Sequence, residues 1–173
     1  MLPERVIRDG RVQPDPWRFV GVGGEVPAEL PAGPVVVPLA TWNERREALL
    51  ARRDPVGVWL KPDDDPGQLH ADLAALALVA VQFPKFTDGR GYSSAVVLRR
   101  RLGYRGELRA FGDVGQDQLF YLKRCGFDSF SLAAHRDPEA ALAGLEVFSV
   151  RYQGSVDDPL PLFRKRATGG PAP

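Results

Sequence analysis

Six short apolar runs punctuate the chain: Val35–Leu39, Val56–Leu60, Leu78–Phe83, Glu107–Phe111, Ser129–Leu132 and Val147–Tyr152. Most are unbroken rather than alternating, the pattern of strands covered on both faces. Helix candidates with legible starts lie between them. Thr41 and Glu44 form a capping box. Asp65–Pro66 and Asp137–Pro138 each supply an N-cap and a first-turn proline, for helices over Gln68–Leu76 and Glu139–Leu145. Asp113 with Gln116 opens a helix over Gln116–Cys125 that Gly126 closes, and Ser93–Leu102 stops at Gly103.

Strand–helix alternation with short links predicts right-handed crossovers and an α/β fold. The expected sheet is mainly parallel, with five to six strands. An open doubly wound sheet and a partial, barrel-like one both fit. A β-hairpin precedes it: Arg5–Arg8, a tight Asp9-Gly10 turn, then Arg11-Val12. Three regions follow: a hairpin and linker over 1–34, packed on the core; the α/β domain over 35–156; and a Pro/Gly-rich tail over 157–173.

Composition excludes several functions. A formal net charge of +1 gives no field to draw the chain onto nucleic acid or an acidic membrane. Cys125 is the one cysteine, which excludes an internal disulfide and fits a reducing compartment. No apolar leader opens the sequence, and no run approaches the ~20 residues of a membrane span, so the expected location is the cytoplasm. His70 and His135 have no second ligand at metal spacing. The segment Gly21-Val22-Gly23-Gly24-Glu25-Val26 lacks the last glycine of a dinucleotide fingerprint, and Pro27 and Pro31 stand where its helix would run. The triplets Asp63-Asp64-Asp65 and Arg99-Arg100-Arg101 read as a cap and a solvated helix face.

Ligands of parallel α/β sheets collect beyond the carboxyl ends of the strands. Two such loops carry chemistry, Pro84–Ser93 and Gly112–Gln118. In the first, glycines and a helix start favour an anion, which Lys85 and Arg90 would clamp, with Tyr92 and Ser93 adding hydroxyls. Asp88, or Asp113 from the second loop, would serve as a general base. The alternative is structural: Asp88-Gly89 turns the chain and Asp88 pairs with Arg90. Arg109 interrupts an apolar strand, where a charge is costly unless paired. It either reaches Asp113 or Asp88 in the same crevice or points to water from an edge strand. Cys125, at a helix C-terminus, reads as a small buried residue.

The segments FPKFTDGRGYS and LRRRLGYRGELRAFGDVGQDQLFYLKRCGFDSF resemble the signature core of an uncharacterised bacterial family. Its members are catalogued as "probable oxidoreductases involved in sulfite reduction". The likeness runs from about Val35 to Tyr152 and is closest from Phe83 to Phe130; Gly115 departs from it, where a bulkier residue is expected. The resemblance implies sulfur assimilation, beside the haem-bearing sulfite reductase subunit, and carries over no catalytic residue. Sulfite reduction takes electron-carrying cofactors, and the chain shows no cysteine set and no flavin or nicotinamide fingerprint, so its cofactor is unknown.

Three readings result. The first is an accessory protein of assimilatory sulfite reduction that binds the reductase or a small oxyanion through Lys85, Arg90 and Arg109. The second is a cofactor-independent lyase or proton-transfer enzyme acting on an anionic substrate, for which Lys85, Asp88, Arg90, Arg109 and Asp113 must converge. The third is an interaction module using Tyr92, Tyr104, Phe120 and Tyr121. Homo-oligomerisation is open.

Overall fold

The computed structural model describes residues 4–148 and 150–167. The strands of the described chain pair as a single eight-stranded sheet. Its centre is β4 (Val35–Pro38), β5 (Val56–Leu60), β6 (Leu78–Phe83), β7 (Glu107–Gly112) and β8 (Ser129–Ser131), all parallel neighbours in chain order. An order that never reverses excludes the doubly wound alternative, which needs a switch point. It leaves a singly wound, curled half-barrel.

The expected strand number was too low. The hairpin strands β1 (Arg5–Arg8) and β2 (Arg11–Pro14) join the sheet through antiparallel pairing of β1 with β8, and β3 (Arg18–Phe19) lies parallel to β4 at the other edge. Only Asp15, Pro16 and Trp17 connect β2 to β3, a chain length that spans at most about 14 Å. In a flat sheet these edges would stand about 34 Å apart. The short link therefore requires the sheet to curl. Among the described residues Val147–Tyr152 forms no strand, and positions 168–173 of the expected tail lie outside them.

Right-handed crossovers in one direction put the helices on the convex face. There the main core gathers Val37, Trp42, Val58, Val81, Phe83, Leu98, Leu108 and Phe127 around α1 (Leu39–Leu50), α2 (Arg90–Val96) and α3 (Leu119–Cys125). The concave face carries a second, smaller cluster of Val36, Trp59, Leu78, Ala80 and Phe111, covered by Trp17 and Phe19. The Trp59 indole donates to the Val20 carbonyl at 2.9 Å, tying the covering segment down.

Several helix boundaries differ from expectation. The capping box at Thr41 is not used: α1 starts directly from Pro38, whose φ of −64° suits the entry, and Thr41 is buried. Asp65 caps as predicted, accepting from the Gly67 amide, but the helix lasts only through a 3₁₀ turn, Pro66–Leu69. Asp72 turns inward instead, accepting from the Trp42 indole and the Arg46 guanidinium. Asp137 also caps as predicted, opening α4 (Pro138–Ala141), which tightens to 3₁₀ over Leu142–Leu145. Gly126 ends α3 at φ 112°, a left-handed cap that glycine adopts freely. The helix begun by α2 continues as a π-type turn over Val97–Arg101. From that turn Arg99 donates to the carbonyls of Tyr104, Gly106 and Gly126 at 2.9 Å and pairs with Asp128 at 2.5 Å, so it is a structural tie rather than a solvated charge. No described helix is long and apolar enough to cross a membrane.

Candidate functional site

The carboxyl ends of β6 and β7 are held together by one glycine. Gly112 sits at φ 108°, and a Cβ there would lie 2.4 Å from the Phe83 carbonyl oxygen. Its freedom from a side chain lets the Asp113 amide reach that oxygen at 2.7 Å. The Asp113 carboxylate then accepts from the Phe86 amide at 3.0 Å. Gln118 completes the brace: its Nε2 donates to the Phe86 carbonyl and the Tyr92 hydroxyl, and its Oε1 accepts from the Gly115 amide at 2.9 Å. Gly115, the departure from the family pattern, faces only the movable ends of two side chains, so the fold does not itself demand glycine there. A Cβ there would stand 2.7 Å from the Asp117 carboxylate and 3.1 Å from the Arg136 guanidinium carbon.

The charges of the first loop are engaged with one another. Arg90 donates Nε and Nη2 to the two Asp88 oxygens at 2.9 and 2.6 Å and pairs with Asp63 through Nη1. The Asp88 carboxylate also accepts from the Arg90 amide at 3.2 Å. The Arg90 hydrogen bonds hold the Asp88 carboxyl below its ordinary range, and exposed Lys85 adds to this electrostatically. A carboxylate so stabilised in its charged form is a weak proton acceptor. Its sign is that of a depressed acid: the pairing is complete above the unfolded pKa and is lost as pH falls through the folded one. An NMR titration of Asp88 is expected to give a midpoint below the ordinary ~3.9; a midpoint at or above that value would show the pair to be open.

Tyr92, half-buried, packs edge-on against Phe83 with ring centroids 5.3 Å apart and leans on Tyr121 at 5.1 Å. Burial raises its hydroxyl pKa. Ser93 is exposed on α2. Thus Lys85, Asp88, Arg90, Tyr92 and Asp113 share one end of the sheet, with Ser93 beside them.

Arg109 does not join them. It is 0% exposed on the concave face. Its Nη1 meets Asp15 at 2.6 Å, its Nη2 and Nε meet Glu107 at 2.6 and 3.0 Å, and its Nε also reaches the Ser129 hydroxyl at 3.1 Å. Neither Asp88 nor Asp113 is among its partners, and it is not on an edge strand, since β7 lies between β6 and β8.

Asp63 is the charged residue whose role the sequence hid. Asp64 and Asp65 bind local amides, as a cap triplet should, but Asp63 crosses to Arg90. Phe86 and Tyr121 are exposed large apolar residues of this face, and no local pattern separates them from core aromatics. Tyr104 is core, its hydroxyl donating to the Leu76 carbonyl at 3.1 Å. Burial raises the Cys125 thiol pKa, opposite to what a nucleophile needs. Among the described residues no three His, Cys, Asp or Glu side chains gather as metal ligands.

A family model described as "Bacterial protein of unknown function (DUF934)" matches residues 57–163, from β5 to the C-terminal segment. No curated protein and no solved structure matches the chain.

Proposed function

We propose, for a chain that belongs to the DUF934 family of bacterial proteins of unknown function, a partner-binding role rather than a catalytic one. The chain acts as an accessory protein of sulfite reduction. It docks on the haem-bearing reductase subunit through the face formed by the Pro84–Tyr92 loop and α3. The observation that carries this reading is the state of the loop's charges. Arg90 is occupied by Asp88 and Asp63, and Arg109 is sealed inside the half-barrel. An oxyanion drawn to Arg90 would have to displace carboxylates already in place. Beside exposed Lys85 and Thr87, the loop and α3 open two large aromatic side chains to solvent, Phe86 and Tyr121. Exposed aromatics on a braced backbone are the usual anchors of protein interfaces, because little side-chain or loop entropy is lost on docking. The sulfite setting itself rests on the resemblance of Phe83–Phe130 to its family.

The test is direct capture. Immobilised protein is expected to retain purified sulfite reductase haemoprotein, read by its haem absorbance. The double variant Phe86→Ala/Tyr121→Ala should weaken retention at least about tenfold, as truncated anchors do. Calorimetric titration with sulfite alone should show no binding. Failure of the wild-type chain to retain the haemoprotein, or equal retention by the double variant, removes the reading; saturable sulfite binding would move it to the anion.

A further inference from the structure

A cleft of about 610 Å³ opens at the amino ends of β6 and β7, a volume within the ~300–1,000 Å³ of small-molecule sites. One wall is the irregular segment that follows the Pro66–Leu69 turn and carries His70, Leu73, Ala74 and Leu76. The other follows the π-type turn, over residues 102–106. Tyr104 joins the two: its hydroxyl lies 3.1 Å from the Leu76 carbonyl oxygen and 3.2 Å from that of Glu107. The ring packs against Gly106, where a Cβ would stand 2.3 Å from the hydroxyl oxygen. The cleft stays open because its exposed residues include small ones. Gly103 turns at φ 69°, a Cβ there would meet nothing within 4 Å, and Ala74 faces solvent.

The charge of the lining has one sign. Leu73, Leu76 and Leu102 supply aliphatic surface, and none of the lining residues is acidic. Arg105 is exposed and makes no ion pair or hydrogen bond among the described residues, and the exposed His70 imidazole likewise engages no other side chain. Asp72 and Glu107, the acidic residues beside these segments in sequence, are turned to other partners. Asp72 accepts from Trp42 and Arg46, and Glu107 from Arg8 and Arg109. Arg100 and Arg101, exposed just before Leu102, also lack an ion pair among the described residues. A guanidinium presents paired donors that match a carboxylate, and leucine surface takes up an alkyl or aryl body.

We propose that this cleft binds a small organic anion, a carboxylate carried on an apolar body. The carboxylate meets Arg105 and His70, and the body lies against Leu73, Leu76 and Leu102. Charge complementarity selects this occupant. An organic cation would face Arg105 with no carboxylate in the lining to receive it, and a wholly polar anion such as sulfite would leave the leucine surface in water. The cleft lies at the opposite end of β6 from the loop that carries Phe86. It therefore goes beyond the docking role proposed above, and neither depends on the other.

Octanoate is the probe, titrated into the isotope-labelled full chain and followed by amide NMR. The Ala74, Gly103 and Gly106 amides are expected to shift saturably, with a Kd on the order of 1 mM, ordinary for a ligand of about ten non-hydrogen atoms. Acetate, which keeps the head and lacks the body, and octylamine, which keeps the body and reverses the charge, should not saturate. Arg105→Gln should raise the Kd at least about fivefold with the other amides unmoved, since Arg105 holds nothing else in place. Ala74→Glu, which puts a carboxylate on an exposed position of the wall, should remove saturation. Arg11→Gln, an exposed arginine outside the lining, should bind as wild type does. No saturation by octanoate at about 20 mM overturns the site, as does equal binding of octylamine or an unchanged Kd in both cleft variants. Tighter binding of an oligoglutamate peptide, lost in the same variants, would give the cleft to an acidic protein segment and overturn the small-molecule assignment. Haemoprotein capture by Arg105→Gln should equal that of wild type.

Discussion

Replacing Arg109 with leucine is expected to destabilise the protein by about 3–5 kcal/mol, a large part of what holds a domain of this size folded. The cause is not the lost packing, since leucine fills much of the space. Arg109 lies between two carboxylates with almost no solvent of their own, Asp15 at 4% side-chain exposure and Glu107 at 11%. Removing the guanidinium leaves those charges facing each other across the concave face. Glu107 retains a contact to Arg8 at 3.4 Å, but Asp15 keeps only the Trp17 amide at 3.2 Å. Because Asp15 begins the three-residue link between β2 and β3, its release also loosens Trp17 and Phe19 over the inner cluster. Urea unfolding followed by tryptophan fluorescence reads both effects, since Trp17 and Trp59 flank this seam. Adding Asp15→Asn and Glu107→Gln to the leucine variant should restore part of the loss. No recovery would mean that packing, not unpaired charge, dominates.

The same residue shows what sequence makes legible and what it hides. A charge inside Glu107–Phe111 signals that a partner must exist, because an unpaired guanidinium in an apolar strand is untenable. One of those partners is two residues away, but the other is Asp15, 94 positions back, brought there by a curl that no local pattern encodes. Local rules did locate the central strands: β5 and β6 coincide with their apolar runs, and β7 extends one residue further, to Gly112. They missed β3, since two residues leave no periodicity to read. They also predicted Val147–Tyr152 as a strand from residue preference alone, although a strand needs a neighbour and the sheet offers none there. At the candidate site, the Asp88–Arg90 pair was one of two readings open from the sequence. The choice between them depended on Asp63, whose position relative to Arg90 is set by the β5–β6 crossover rather than by spacing.

Gly112→Ala is expected to cost about 3 kcal/mol or more, and to remove partner capture along with stability. At φ 108° a side chain is strained whatever its surroundings, and here the new Cβ would also lie 2.4 Å from a backbone oxygen that cannot turn aside. That oxygen, on Phe83, is the acceptor for the Asp113 amide. Relief of the clash must therefore separate the ends of β6 and β7 and withdraw Asp113 from Phe86. Hydrogen exchange should show the Phe86 and Asp113 amides losing protection ahead of β5. Gly89→Ala is the matching control in the same loop. Gly89 has φ −86°, and the nearest atom to its added Cβ is 3.9 Å away on Tyr92. An alanine there should be neutral or stabilising by up to about 1 kcal/mol through a less disordered unfolded chain. If both substitutions were silent, the close approach at Gly112 would not be the contact that organises this end of the sheet. If only Gly112→Ala abolished capture, the aromatic face would depend on the brace beneath it rather than on the presence of Phe86 and Tyr121 alone.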